Sequence, residues 1–166
     1  MLKHYKKSLH KLFGFALSLD VAVVVVCVCL LLLAGLVGFQ SYVKSAKINR
    51  AQADCACLAL AISQYAYDLQ NAYPSYNAGQ CLPANLVALE SKHTASGKGP
   101  WLSGNAMKKS GSSYLDPWGH VYVYDHGSGN DGTFVVYSKG PDNNGSMTRA
   151  GVASNNAVGA SGGFSR

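Results

Sequence analysis

The sequence predicts an α+β protein. A long N-terminal helix, whose first half crosses a membrane, packs through its second half on a small antiparallel β-sheet. Three observations carry that reading. A run from Phe15 to Phe39 holds one charge, Asp20. An apolar stripe of helical period follows it. Two stretches of period two, 120–125 and 133–138, then supply strands.

The apolar run is justified by length, since a membrane helix needs about 20 apolar residues. No second run of that kind exists in the 166 residues. Before it, Lys3, Lys6, Lys7 and Lys11 precede Gly14. Basic residues before an apolar span favour a cytoplasmic N-terminus, although Lys44, Lys47 and Arg50 beyond it reduce the asymmetry. The chain from about Tyr42 onward is therefore expected outside the inner membrane. A cleaved signal peptide is the rival reading. Its apolar region would be about 7–15 residues long and end at a small-residue site. Here the run is longer, and Ala34-Gly35 is followed by more apolar residues, so an anchor fits better. The formal charge of +6 comes largely from the two clusters that flank this run, where basic side chains reach lipid phosphates. No nucleic-acid-binding motif accompanies them, and no nucleic-acid partner is expected.

The second half of the helix follows from spacing. Gly38 is the last glycine before Gly79, and no proline occurs before Pro74. Between them Ile48, Ala51, Cys55, Leu58, Ile62, Tyr65, Leu69 and Tyr73 recur at steps of three and four, an amphipathic stripe. Lys47, Arg50, Asp54, Gln64, Asp68 and Gln70 occupy the opposite side. One helix from about Ala16 to Ala72 is predicted, roughly 85 Å long. The alternative is two helices hinged near Gly35 and Gly38, each glycine weakening the helix by about 1 kcal/mol. Tyr73-Pro74 ends it, because proline disfavours α geometry in the residue before.

Residues 75–113 are polar and variable. Pro83 to Glu90 has helical spacing, Lys92 to Gly99 and Lys108 to Ser113 read as loops, and Trp101-Leu102 is a packing anchor between them. His120 to Asp125 and Thr133 to Ser138 alternate in β-branched and aromatic residues, with a stretch dense in turn formers between. That pattern predicts an antiparallel hairpin. Two strands alone are marginal, so the helix stripe is expected to cover them. The tail, 151–166, is mostly Ser, Asn, Ala and Gly. It is expected to be mobile, or ordered only against a neighbour. The chain thus divides into a leader (1–14), a transmembrane helix half (15–40), an amphipathic helix half (41–73), a globular head with a hairpin (74–150) and a flexible tail (151–166).

Five cysteines are present. Cys27 and Cys29 lie in the apolar run. Cys55, Cys57 and Cys81 lie in the exported part, where disulfides persist. Cys55 and Cys57 point apart on a helix, so Cys81 is expected to pair with one of them, Cys55 being preferred. The spacing is too sparse for a zinc site. No nucleophile elbow, phosphate loop or His-Glu-x-x-His stretch occurs, and no enzyme activity is expected.

These pieces resemble the type IV pilin-like proteins, and among them the major pseudopilins of type II secretion, the protein G class. Lys11-Leu-Phe-Gly14 before Phe15-Ala-Leu-Ser resembles the family's leader junction. Leu58 through Asp68 to Tyr73-Pro74 resembles the end of its long helix. Leu115-Asp-Pro-Trp-Gly119 with Tyr122 and Tyr124 matches its Asp-Pro-Trp-Gly-x-x-Tyr-x-Tyr. Tyr137-Ser-Lys-Gly-Pro-Asp142 resembles its Ser-x-Gly-x-Asp loop.

The resemblance implies a pilin-like fold and a fibre subunit that drives protein secretion. A prepilin peptidase would cut after Gly14 and methylate Phe15. Other pseudopilins, an inner-membrane assembly platform and lipid would be partners, and the head would lie in the periplasm. The family carries Glu as its fifth mature residue. Here that position is Leu19, with Asp20 beside it as the substitute that would meet a neighbour's terminal amine. The bland reading of Asp20 is a cap on the membrane helix. The class also carries calcium, which implies Asp142, Asn143, Asn144 and Ser138 as ligands. No acid follows Asp142, so a Gly/Asn-rich turn is the competing reading. Other functions compatible with the anchor are a different pilus-like filament, for DNA uptake or adhesion, and an anchored binding domain that never polymerises. Lys92, Lys98, Lys108 and Lys109 are the loop cations that DNA uptake would use.

Overall fold

We describe the protein from a computed structural model covering residues 2–94, 96–127 and 131–163, with side chains described from Asp20 onward except at 35–38. Contacts divide the chain into two compact units, Met1–Lys44 and Ser45–Arg166. Helix α1, Leu2–Ala72, runs through both.

The helix starts earlier than residue 16 because the leader holds no proline and is rich in Leu and Lys, both good helix formers. It is unbroken through Gly35 and Gly38, so the hinged alternative does not hold. In the first unit the apolar side chains from Val21 to Leu33 face outward, Leu31 at 73 % exposure. Among the described residues one helix is long and apolar enough to cross a membrane, and its apolar window is not buried by protein.

In the second unit the stripe is buried as spacing predicts. Ala51, Cys55, Leu58, Ile62, Tyr65 and Leu69 are all buried, while Ile48 and Tyr73 at the ends are half-buried. After Pro74 the chain makes a 3₁₀ turn at Gly79–Cys81 and another at Leu86–Glu90. The second is capped by the Asn85 side chain, which accepts from the Ala88 amide at 3.0 Å. Trp101 and Leu102 anchor the next segment: Leu102 is buried, and the Trp101 indole donates to Asp68 at 2.7 Å.

Two short strands, β1 (Lys109–Ser110) and β2 (Ser113–Tyr114), pair with each other. β3 (Val123–Asp125) and β4 (Thr133–Ser138) form the expected hairpin, with Val123 opposite Tyr137. β3 is shorter than the 120–125 pattern. Val121 bridges to Leu115 and the Tyr122 amide donates to the Tyr114 carbonyl, so these residues are drawn to the preceding segment. β5 (Ser146–Met147) and β6 (Ala153–Ser154) pair antiparallel.

The tail corrects the sequence reading. Val158–Gly163 is a strand, β7, and pairs antiparallel with β4 from Ser138↔Val158 to Thr133↔Gly163. β4 is therefore the centre of a three-stranded sheet, β3-β4-β7. Its glycines are what allow it. A Cβ on Gly162 would sit 2.7 Å from the Phe134 ring, and one on Gly159 would sit 2.4 Å from the Tyr137 Cβ. A composition argument counts buried side chains, but this strand contributes backbone pairing and close approach instead.

A single apolar cluster joins the α1 stripe to Leu82, Leu86, Leu89, Leu102, Met107, Tyr114, Tyr122, Phe134 and Val136. Each fully buried side chain of that size contributes about 1.5–3 kcal/mol of transfer free energy.

Candidate functional site

The two family-like motifs of the head meet at one buried carboxylate. Asp116, 4 % exposed, opens the Asp-Pro-Trp-Gly turn. Its Oδ1 accepts from the amides of Trp118 at 3.0 Å and His120 at 2.8 Å, a local closure that Asp makes readily ahead of a proline turn. Its Oδ2 accepts from the Ser138 hydroxyl at 2.5 Å. Ser138, at the end of β4, in turn accepts from the Gly140 amide at 3.0 Å. His120 Nδ1 faces the Gly140 carbonyl at 3.0 Å, which places the proton on Nδ1. The turn at 116–120 and the loop after β4 are thus one hydrogen-bonded unit. No described buried side-chain polar atom is left without a partner.

This is where Ser, His and Asp come together, and the wiring is not catalytic. The serine donates to the carboxylate, and the imidazole is turned to a backbone carbonyl. A nucleophile needs its base within hydrogen-bond reach and the base oriented by a third group. Here the hydroxyl bonds a buried carboxylate directly, and no imidazole stands between the two.

Polar residues on the far side of α1 are also recruited. Asp54 accepts from the Tyr122 hydroxyl at 3.0 Å, and Asp68 accepts from the Trp101 indole at 2.7 Å. Spacing had placed both acids on the solvent face. They stand at the stripe's margins and hold the polar ends of aromatic side chains that a buried site requires to be satisfied. Burial and then the Asp54 charge raise the Tyr122 pKa well above its ordinary value. Tyr114 is raised by burial and by its hydroxyl bond to Glu90. Glu90 also pairs with Lys109, whose ammonium lies 5.2 Å from the Tyr114 ring centroid. Lys109 is therefore part of the fold, whereas Lys92, Lys98 and Lys108 are exposed.

Cys55 and Cys81, the expected disulfide pair, are both buried in the head. The Cys55 thiol is directed to the Val158 carbonyl of β7 at 3.5 Å, and desolvation pushes its pKa up to about 12. Cys57 is exposed.

Two of the four residues implied as calcium ligands, Ser138 and Asp142, also bond protein groups. Ser138 is spent between Asp116 and Gly140. Asp142 is an exposed acid whose Oδ2 accepts from the Asn156 amide at 3.3 Å. Asn143 has left-handed backbone geometry, φ 54°, as a turn residue. Calcium takes six to eight oxygens, with carboxylates prominent. Among the described residues no group of three or more His, Cys, Asp or Glu side chains converges. The loop is closed by protein groups.

Gly14, Phe15 and Leu19 lie outside the residues whose side chains are described, so the processing and assembly positions there have no side-chain account. Asp20 is described and exposed.

A family model described as type II secretion system, protein G, matches residues 39–155, well over half of the chain. The chain belongs to that family. The match spans the end of α1 together with the Asp-Pro-Trp-Gly turn and the loop after β4, the last two of which the Asp116–Ser138 bond ties together. This protein G family member is a type II secretion pseudopilin with one candidate membrane helix. The family is one of structural subunits. No curated protein and no solved structure matches the chain.

Proposed function

We propose that this pseudopilin is a subunit of a helical fibre, anchored in the inner membrane, that drives type II protein secretion. Its N-terminus lies in the cytoplasm and its head in the periplasm. A prepilin peptidase removes residues 1–14, and the new terminus, Phe15, is methylated. The apolar helix halves of many copies, and of other pseudopilins, then pack as the fibre core, delivered by the inner-membrane assembly platform. Asp20 stands in for the acid missing at Leu19 as the partner of a neighbour's terminal amine, because a charge in lipid requires one.

The observation that supports this reading best is the contrast within α1. From Val21 to Leu33 it presents apolar side chains on every side, while from Ala51 to Leu69 it buries one stripe in the head. Such a chain has a surface suited to lipid before assembly and to other such helices after it.

The test is the N-terminus of protein recovered from its native membrane. Mass spectrometry should find a start at Phe15 with one added methyl. An intact Met1 would overturn the proposal, and a start near Leu36 would point to a soluble exported protein. Cysteine cross-linking between copies in the Phe15–Phe39 segment should then depend on Asp20, being lost in Asp20→Asn.

A further inference from the structure

At the start of the second unit three cations line one cavity of about 400 Å³. Lys47 and Arg50 come from α1, and Lys108 comes from the loop before β1. Pro117 and Trp118 of the turn form its other wall. Among the described residues, Lys47 and Lys108 make no ion pair, and Arg50 has a loose one with Asp54 at 3.8 Å. Asp116 also lines the cavity, but both its oxygens are turned to Trp118, His120 and Ser138. The cavity therefore offers two cations without an ion pair and a third loosely paired, against one engaged carboxylate.

Like charges gathered around a concavity repel one another unless an anion is present, and clefts of one sign concentrate the opposite one. A volume of this size falls in the range of small-ligand sites, roughly 300–1,000 Å³. Two further facts select the anion. Lys47 is only eight residues past Phe39, the end of the apolar run. Trp118 is half-buried beside the cations, and tryptophan concentrates where a membrane meets water. Lys and Arg side chains close to an anionic lipid surface gain about 1 kcal/mol each.

We infer that Lys47, Arg50, Lys108 and Trp118 form a site for the phosphate of an acidic phospholipid headgroup. The site fixes the head against the bilayer surface before assembly, and a subunit must release it to leave the membrane. This rests on residues 15–40 being the membrane anchor.

The experiment uses the full chain, one copy per lipid nanodisc, in phosphatidylcholine with or without phosphatidylglycerol. Acylation rates of individual lysines are read by mass spectrometry. With phosphatidylglycerol, Lys47 and Lys108 should react roughly fivefold more slowly, as about one phosphate contact per cation implies, while Lys92 and Lys98 are unchanged. Lys108→Gln should restore the Lys47 rate without altering Lys44, whereas Lys92→Gln should alter nothing. Equal Lys47 rates in the two lipids overturn the inference. Protection of Lys47 that survives Lys108→Gln would reduce it to general surface attraction and also overturns it. Protection by inorganic phosphate in phosphatidylcholine discs would reassign the anion from lipid to solute. A chain that does not enter the disc removes the anchor, and this site with it, a failure distinguishable from an inserted chain whose lysines stay reactive.

Discussion

Two stretches of α1 are both rich in apolar residues and have opposite fates. From Val21 to Leu33 valine and leucine face outward around the whole helix. From Ala51 to Leu69 one stripe of apolar residues is buried, with Leu60 and Tyr67 left exposed outside it. The difference lies in what surrounds each half. An all-round apolar surface suits lipid, where helices gain little from hiding it. A stripe suits water, where burying it is the main stabilising term. The same backbone can therefore anchor a subunit at one end and stabilise its head at the other, and substitutions should separate the two roles.

The largest expected effect is at the stripe. Leu58→Ala should destabilise the head by about 2–5 kcal/mol in a denaturant melt, because it leaves a cavity in a fully buried cluster. Leu31→Ala should leave that melt unchanged, and Leu31→Arg should instead cost membrane insertion about 2.5–3.5 kcal/mol. Equal effects of Leu58→Ala and Leu31→Ala on the melt would break the comparison.

Next is the carboxylate under the turn. Asp116→Ala strips the partners from two amides and the Ser138 hydroxyl and should cost about 3 kcal/mol. Hydrogen exchange should show the Trp118 and His120 amides losing protection first.

Gly162→Val should cost about 1–3 kcal/mol by forcing a side chain into the Phe134 ring. The change should read out as exchange of the β7 amides before those of β3. If β7 tolerates valine, its order does not depend on close approach.

The Cys55 thiol gives a pH dependence. Its pKa is raised above the ordinary 9.0 to about 12, so the folded state holds the proton longer than the unfolded one. Stability is then full below about pH 9 and falls as pH rises from there towards 12, by up to about 1.4 kcal/mol per unit. Cys55→Ala should flatten that slope. Under non-denaturing conditions iodoacetamide should label Cys57 and spare Cys55.

The smallest effect concerns Glu90. Its pKa is lowered by Lys109 and Tyr114, so its contribution is present above the ordinary 4.5 and lost as pH falls below it through the depressed value. Glu90→Gln should cost about 1 kcal/mol at neutral pH and nothing in acid. A constant difference between the two proteins across that window would show that the charge is irrelevant.

Much of this was legible in the chain because it depends on local period. The stripe from Ile48 to Tyr73, the helix stop at Pro74, the hairpin centred on 125–133 and the Asp-Pro-Trp-Gly turn all follow from spacing and turn chemistry. β7 was not legible, because Gly159 and Gly162 look like disorder in composition and become a strand only beside Phe134 and Tyr137. Asp54 and Asp68 read as solvent-facing, since nothing local says that Tyr122 and Trp101 will arrive from far along the chain. Ser138 bonds both Asp116 and Gly140, and the Cys55 thiol is directed to the Val158 carbonyl, and no local pattern relates Ser138 to Asp116 or Cys55 to Val158.

By itself the sequence determined the anchor, the long amphipathic helix, the hairpin and the family motifs, since each is written in neighbouring residues. The tertiary structure decided the third strand, the Asp116–Ser138 bond between two motifs and the convergence of Lys108 on Lys47 and Arg50. These join residues far apart in the chain, and only closure of the fold brings such groups within the few ångströms over which hydrogen bonds and close packing act.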